Sequence, residues 1–253
     1  MIRLFIFLSS RSTLANSAYN ALQVEVTKRY SRSFSLQGTY TFSRSMDMFS
    51  GAGIGPETPN VFNLKTQWGP SDFDSKHILS ASWIWELPRL TSLHPLVRGV
   101  AGNWQFNGLI SGRSGTPVNI VIGDDIALSG TPGQRPDVIG NPLLPSDRSR
   151  GDKILAWFDR AAFVMPATGT YGNVGRNALR GWPQAVANLA LFKSVPLPWR
   201  EGLRLQFRSE FFNALNRVNL GGPDTSLVSG KNMGRITSAG EARVIQFALK
   251  ALF

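Results

Sequence analysis

Apolar and polar residues alternate with a period of two along much of this chain. Leu22, Val24 and Val26 interleave with Gln23, Glu25 and Thr27, and Phe34, Leu36, Gly38, Tyr40 and Phe42 with Ser35, Gln37, Thr39, Thr41 and Ser43. The rhythm returns in Leu79, Ala81, Trp83, Trp85 and Leu87, and in Trp104, Phe106, Gly108 and Ile110. Leu203, Leu205, Phe207, Ser209 and Phe211 oppose Arg204, Gln206, Arg208 and Glu210, and Ile245, Phe247, Leu249, Ala251 and Phe253 close the chain. Successive side chains of a strand point to opposite faces, so each run predicts a strand with one apolar face. A weaker run over 187–193 predicts one more. The pattern gives about seven strands, several near the 9–11 residues that a tilted membrane-spanning strand needs.

The connections alternate as well. Residues 30–33 make a tight turn, 46–76 a long loop, 89–102 a moderate connection, 122–183 a very long one, 196–202 a short one and 221–241 a long one. In a sequential antiparallel sheet, every short connection then lies at one end and every long one at the other. Outer-membrane barrels have this layout, with short periplasmic turns and long external loops. The expected fold is all-β: an antiparallel up-and-down transmembrane β-barrel segment of about seven to eight strands with long external loops.

The five clearest runs carry no Lys, Arg, Asp or Glu on their apolar faces, whereas Glu25, Glu86, Arg204, Arg208 and Glu210 stand opposite. A soluble β-sandwich also alternates, but so sharp a contrast suits lipid on one side and a watery lumen on the other. Arg204, Arg208 and Glu210 are the lumen-facing candidates, either contacting an anionic solute or pairing across strands in an ordinary ladder. Phe207→Arg is expected to be costly and Gln206→Arg to be tolerated. Tyr30, Trp85, Trp104, Trp199 and Phe253 fall near strand ends, as interfacial girdles require.

Composition narrows the classes further. The 253 residues are 42% hydrophobic and only 17% charged, which excludes wholesale disorder, and 25 Gly with 15 Pro favour short segments over long helices. The net charge of +11 invites an acidic partner, but the basic residues are dispersed, as on a solvated surface, so no nucleic acid is expected. Cysteine is absent, which removes disulfides, thiolate metal sites and thiol nucleophiles. The longest apolar run, residues 4–8, is far too short to cross a bilayer as a helix. Residues 1–18 read as a truncated upstream strand and loop, and 19–253 as the barrel segment.

No motif argues for catalysis. The glycine run 51–56 has no helix start after it, and Gly112-Arg113-Ser114-Gly115 lacks the spacing of a nucleophile elbow. His77 and His94 have no metal-ligand spacing around them. Asp72 and Asp74 could recruit a cation, but they read better as solvated loop carboxylates. Neither an enzyme nor a cofactor is expected.

Several stretches resemble the later barrel of TonB-dependent outer-membrane receptors, most closely the Oar-like branch of acidobacterial type. These are Tyr19-Asn20-Ala21-Leu22-Gln23-Val24, Tyr40-Thr41-Phe42-Ser43-Arg44-Ser45-Met46-Asp47, Tyr171-Gly172-Asn173-Val174-Gly175-Arg176-Asn177-Ala178-Leu179-Arg180-Gly181 and the run 205–216. Gly234-Arg235-Ile236-Thr237-Ser238-Ala239 and the closing residues 246–253 complete the series. The resemblance implies a cell outer-membrane location and the C-terminal part of a receptor for uptake of a bulky solute. It also implies contact with outer-membrane lipid, lipopolysaccharide and the barrel-assembly machinery, with Phe247, Leu249 and Phe253 as the assembly signal. The TonB complex would be a partner only through a plug absent from this chain, so the segment is not expected to transport alone. The rival readings are a complete small barrel serving as adhesin or anchor, and a soluble basic β-protein that binds nucleic acid.

Overall fold

The computed structural model describes residues 15–51, 60, 63–88, 90, 94–131, 133–197 and 202–253. Residues 1–14 of the upstream segment expected at 1–18, most of the glycine run 51–56, and Trp199 lie outside the described residues. Seven long strands run in chain order: β1 Ser17–Ser31, β2 Phe34–Asp47, β3 His77–Glu86, β4 Trp104–Arg113, β5 Gln184–Pro196, β6 Arg204–Phe212 and β7 Val244–Leu252. Each pairs antiparallel with its neighbours in sequence, and a two-residue strand, Gly69–Pro70, pairs with the end of β2 to make an eight-stranded sheet. β1 and β7 are its edges, and the sheet is not closed.

Alternation within a strand does not say which faces of neighbouring strands coincide; register does. One row of directly opposed residues crosses the whole sheet as Lys28, Leu36, Trp83, Gly108, Leu189, Phe211 and Ile245. Another begins Val24, Tyr40, Leu79 and Gly112. Opposed residues share a face, so the apolar sets of all seven strands lie on one side. A slip of one residue at any junction would break that agreement. Gly108 lets the row close up: a Cβ there would stand 2.0 Å from the Trp83 ring, which covers the glycine and lies 5.8 Å from the Phe106 ring.

Two strands exceed the sequence expectation. β5 runs for 13 residues rather than the weak stretch 187–193, because Val186, Ala190 and Phe192 place apolar groups on its second face and mute the alternation. β1 begins at Ser17, and its hairpin to β2 turns on Arg32 and Ser33 alone, both with positive φ (50° and 64°). This is the type I′ geometry that suits the strand twist, built without the glycine or asparagine that usually relieves it.

The three long connections gather at one end, as the loop alternation requires. Residues 69–76 after β2, 115–182 after β4 and 219–240 after β6 hydrogen-bond to one another throughout, for example Val121 N to Thr225 O and Trp157 N to Gly234 O. Their apolar residues make a separate core of Val118, Ile120, Phe158, Ala162, Phe163, Val174, Leu179 and Met233. Among the described residues, only Ala187 of the long strands is both apolar and buried. The chain has a loop cap with an apolar core of its own, standing on a sheet whose described residues form none.

Candidate functional site

The apolar face of the sheet is uncovered. Leu22 is 60% exposed, Phe247 66% and Leu249 66%, and no described element packs over them. Phe207 is also exposed and stacks on Phe247 across the strand pair, with 6.0 Å between ring centroids. A soluble protein rarely leaves so broad an apolar surface in water, and a β-sandwich would cover it with a second sheet. The charges on this face sit at its margins. Lys28 lies over the Phe34 ring at 5.2 Å and Lys193 over the Trp104 ring at 5.3 Å, both at the short-turn end beside Trp85. Arg44 and His77 mark the loop end, where the Tyr40 hydroxyl meets His77 Nδ1 at 2.8 Å. Lysine ammonium groups seated over aromatic rings at the margin of an apolar face are what a membrane interface calls for.

The opposite face carries Gln23, Glu25, Gln37, Thr39, Glu86, Gln105 and Asn107, interrupted by the exposed apolar residues Ile78, Ile84 and Leu109. Arg204, Arg208 and Glu210 stand together on this face of β6, opposite Leu252, Ala248 and Gln246 of β7. The Arg208 guanidinium lies 4.4 Å from the Phe192 ring centroid, and its Nε donates to Gln206 Oε1 at 2.9 Å. None of the three forms an ion pair among the described residues, so no cross-strand charge ladder exists here. Gln206 departs from expectation. It is buried and its amide donates to Ser194 Oγ, so replacing it with arginine would not be neutral. Phe247 and Leu249 share the apolar face of β7, and Phe253 stands just past the strand, 92% exposed.

In the cap, Asp74 is not a solvated carboxylate but a buried one, whereas Asp72 is exposed as expected and nevertheless ion-paired. Arg176 donates from Nη1 to Asp47 Oδ1 at 2.5 Å and from Nη2 to Asp72 Oδ1 at 2.9 Å, while Arg180 pairs with Asp74. Asp74 is buried, and its other oxygen accepts from Ser45 N at 2.6 Å. Asn177 Nδ2 adds bonds to Pro70 O and Asp72 Oδ1. The loop 171–181 is thereby latched across the end of β2 and the segment that follows it. Beside the latch, Arg135 is buried with only neutral acceptors: Val174 O, Gln67 Oε1 and Thr66 O. Burial, and then the neighbouring Arg176 charge, hold its pKa below the ordinary arginine value. Sequence reasoning missed these arginines as structural residues, although all three latch residues lie within the Tyr171–Gly181 stretch on which the resemblance rests. No group of three or more His, Asp or Glu that could hold a metal occurs among the described residues.

An open antiparallel meander, apolar and bare on one face, polar on the other, with its long loops gathered at one end, defines the wall of a membrane β-barrel. A family profile described as an outer membrane beta barrel domain matches residues 7–246, and the chain belongs to that family. It is a protein of the outer membrane. No curated protein and no solved structure matches the chain. The soluble nucleic-acid-binding alternative falls with this assignment.

Proposed function

We propose that the chain is the C-terminal wall segment of a TonB-dependent outer-membrane receptor that takes up a bulky solute. The observation that carries this reading is the loop 171–181. The stretch that resembles the receptors' long-loop signature supplies Arg176, Asn177 and Arg180, the residues that tie the cap to the barrel wall. In this reading the bare face meets lipid and lipopolysaccharide. Arg204, Arg208 and Glu210 line the lumen without ion-pair partners, Arg208 resting on the Phe192 ring, and face a passing solute. The role is non-enzymatic, and energised transport belongs to the assembled receptor rather than to this segment alone. The test is the coding sequence preceding Met1: an in-frame plug domain is expected. A stop codon followed by an independent export signal would overturn the receptor reading and favour a small barrel acting as anchor or adhesin.

The terminal strand is assigned the assembly signal. β7 has an unpaired edge, and Phe247, Leu249 and Phe253 offer alternate apolar side chains to a groove that adds the strand to its own sheet. Deleting Phe253 is expected to reduce heat-modifiable, membrane-inserted protein several-fold while synthesis stays intact. Trimming the loop around Gly222 is expected to matter far less. Equal insertion of the Phe253 deletion and the parent would remove the assignment.

A further inference from the structure

The cap holds a cavity of about 400 Å³ that neither the bare face nor the latch explains. Arg113, the last residue of β4, and Gln184, the first of β5, stand opposite each other on the polar face and line it. Thr116, Asn119 and Trp182 continue the wall, and Gly221, Gly222, Pro223 and Thr225 supply it from the β6–β7 connection.

Hydrogen bonds hold that connection in place. The Asn219 amide bonds both backbone groups of Ala185, accepting from its N at 2.9 Å and donating to its O at 2.9 Å, as a neighbouring strand would. Gln184 Nε2 donates to Leu220 O at 2.8 Å, and Val121 N to Thr225 O at 3.1 Å. The walls are therefore set before anything binds, which lowers the ordering cost of binding.

One charged group on the walls is unused. The Arg113 guanidinium makes no hydrogen bond or ion pair with any described residue. The Trp182 ring, half-buried and held at 5.4 Å from that of Trp157, supplies a flat apolar wall, while its Nε1–H is buried away from solvent. A free guanidinium selects a carboxylate, which it can hold with two parallel hydrogen bonds. An indole wall set among amide and hydroxyl side chains suits a compact ring bearing hydroxyl groups, and the volume lies at the small end of ligand pockets.

We propose that this cavity binds a carboxylate-bearing saccharide of about one ring, of the uronic acid class. The proposal deepens the uptake reading and depends on it only for how the solute arrives, because binding can be read on purified protein.

The full chain in detergent micelles would be titrated with D-glucuronate, D-glucose and acetate, following tryptophan fluorescence. A saturable change with glucuronate is expected, with binding at least tenfold weaker for glucose and for acetate, each of which carries half of the recognised chemistry. Arg113→Gln is expected to weaken glucuronate at least tenfold and to leave glucose unchanged. Gly222→Phe is expected to abolish binding by filling the cavity, since a Cβ at Gly222 meets nothing within 4 Å and its φ lies outside the left-handed region. Arg98→Gln, in the β3–β4 connection, should bind as the parent does, and circular dichroism would show that each variant keeps its sheet. Absence of saturable glucuronate binding, or parental binding by Arg113→Gln and Gly222→Phe in folded protein, would overturn the proposal. Failure of the receptor reading would show instead in the gene, with binding intact.

Discussion

Phe207→Arg should cost roughly 2–4 kcal/mol of stability in a bilayer, the range for a cation placed at the lipid-facing midplane of a barrel strand. Phe207 is the fourth of nine residues in β6, on the bare apolar face, and it stacks there on the still more exposed Phe247. An arginine in its place must leave its guanidinium in hydrocarbon or drag water in after it. The proper comparison is Gln246→Arg, on the polar face of the next strand, exposed and opposite Glu210. That change should lie within about 0.5 kcal/mol of zero. Urea unfolding of both variants from lipid vesicles would measure the difference. Equal costs would mean that the two faces meet the same medium, and the lipid assignment would fail.

Arg176→Ala is expected to cost about 3–5 kcal/mol, as removal of one member of a buried ion pair does. The loss exceeds that of one contact. Asp47, itself buried, would keep its charge without a cation, and Ser50 and Asp72 would lose a shared donor. Arg176→Lys should recover part of this, since one ammonium restores charge but cannot serve Asp47, Ser50 and Asp72 from two planar nitrogens. Trp157 and Trp182 lie in the cap and would report its unfolding by fluorescence. A cost below about 1 kcal/mol would show that the latch is incidental to the cap.

The strands were legible in the sequence because a sheet with unlike media on its two faces writes period-two alternation directly into the side chains. The same logic explains the lapse at β5, where Val186, Ala190 and Phe192 blur the two faces. Loop lengths carried the topology, since consecutive strands of a meander must alternate direction. The cap was not legible. Its core residues, from Val118 to Met233, follow no period and meet only through tertiary packing. The pairing of Asp72 and the burial of Asp74 were hidden because the arginines that neutralise them stand 104 and 106 residues further along the chain. The β1–β2 turn carried no glycine or asparagine to announce its geometry, and only the length of the gap between two alternating runs gave it away.

The described residues hold seven long strands, an odd number, and strand direction makes that count consequential. β1 descends from the loop end to the turn end, and so does β7, three hairpins later. Brought edge to edge they would run parallel, whereas bacterial barrels close on antiparallel neighbours and have even strand counts. A second copy rotated about the membrane normal offers the same two directions and does not help. Neither edge can be left bare in hydrocarbon, where each unpaired backbone group costs several kcal/mol. The strand that meets β1 must therefore climb from the turn end to the loop end, and the strands added to these seven, whichever part of the protein supplies them, must be odd in number.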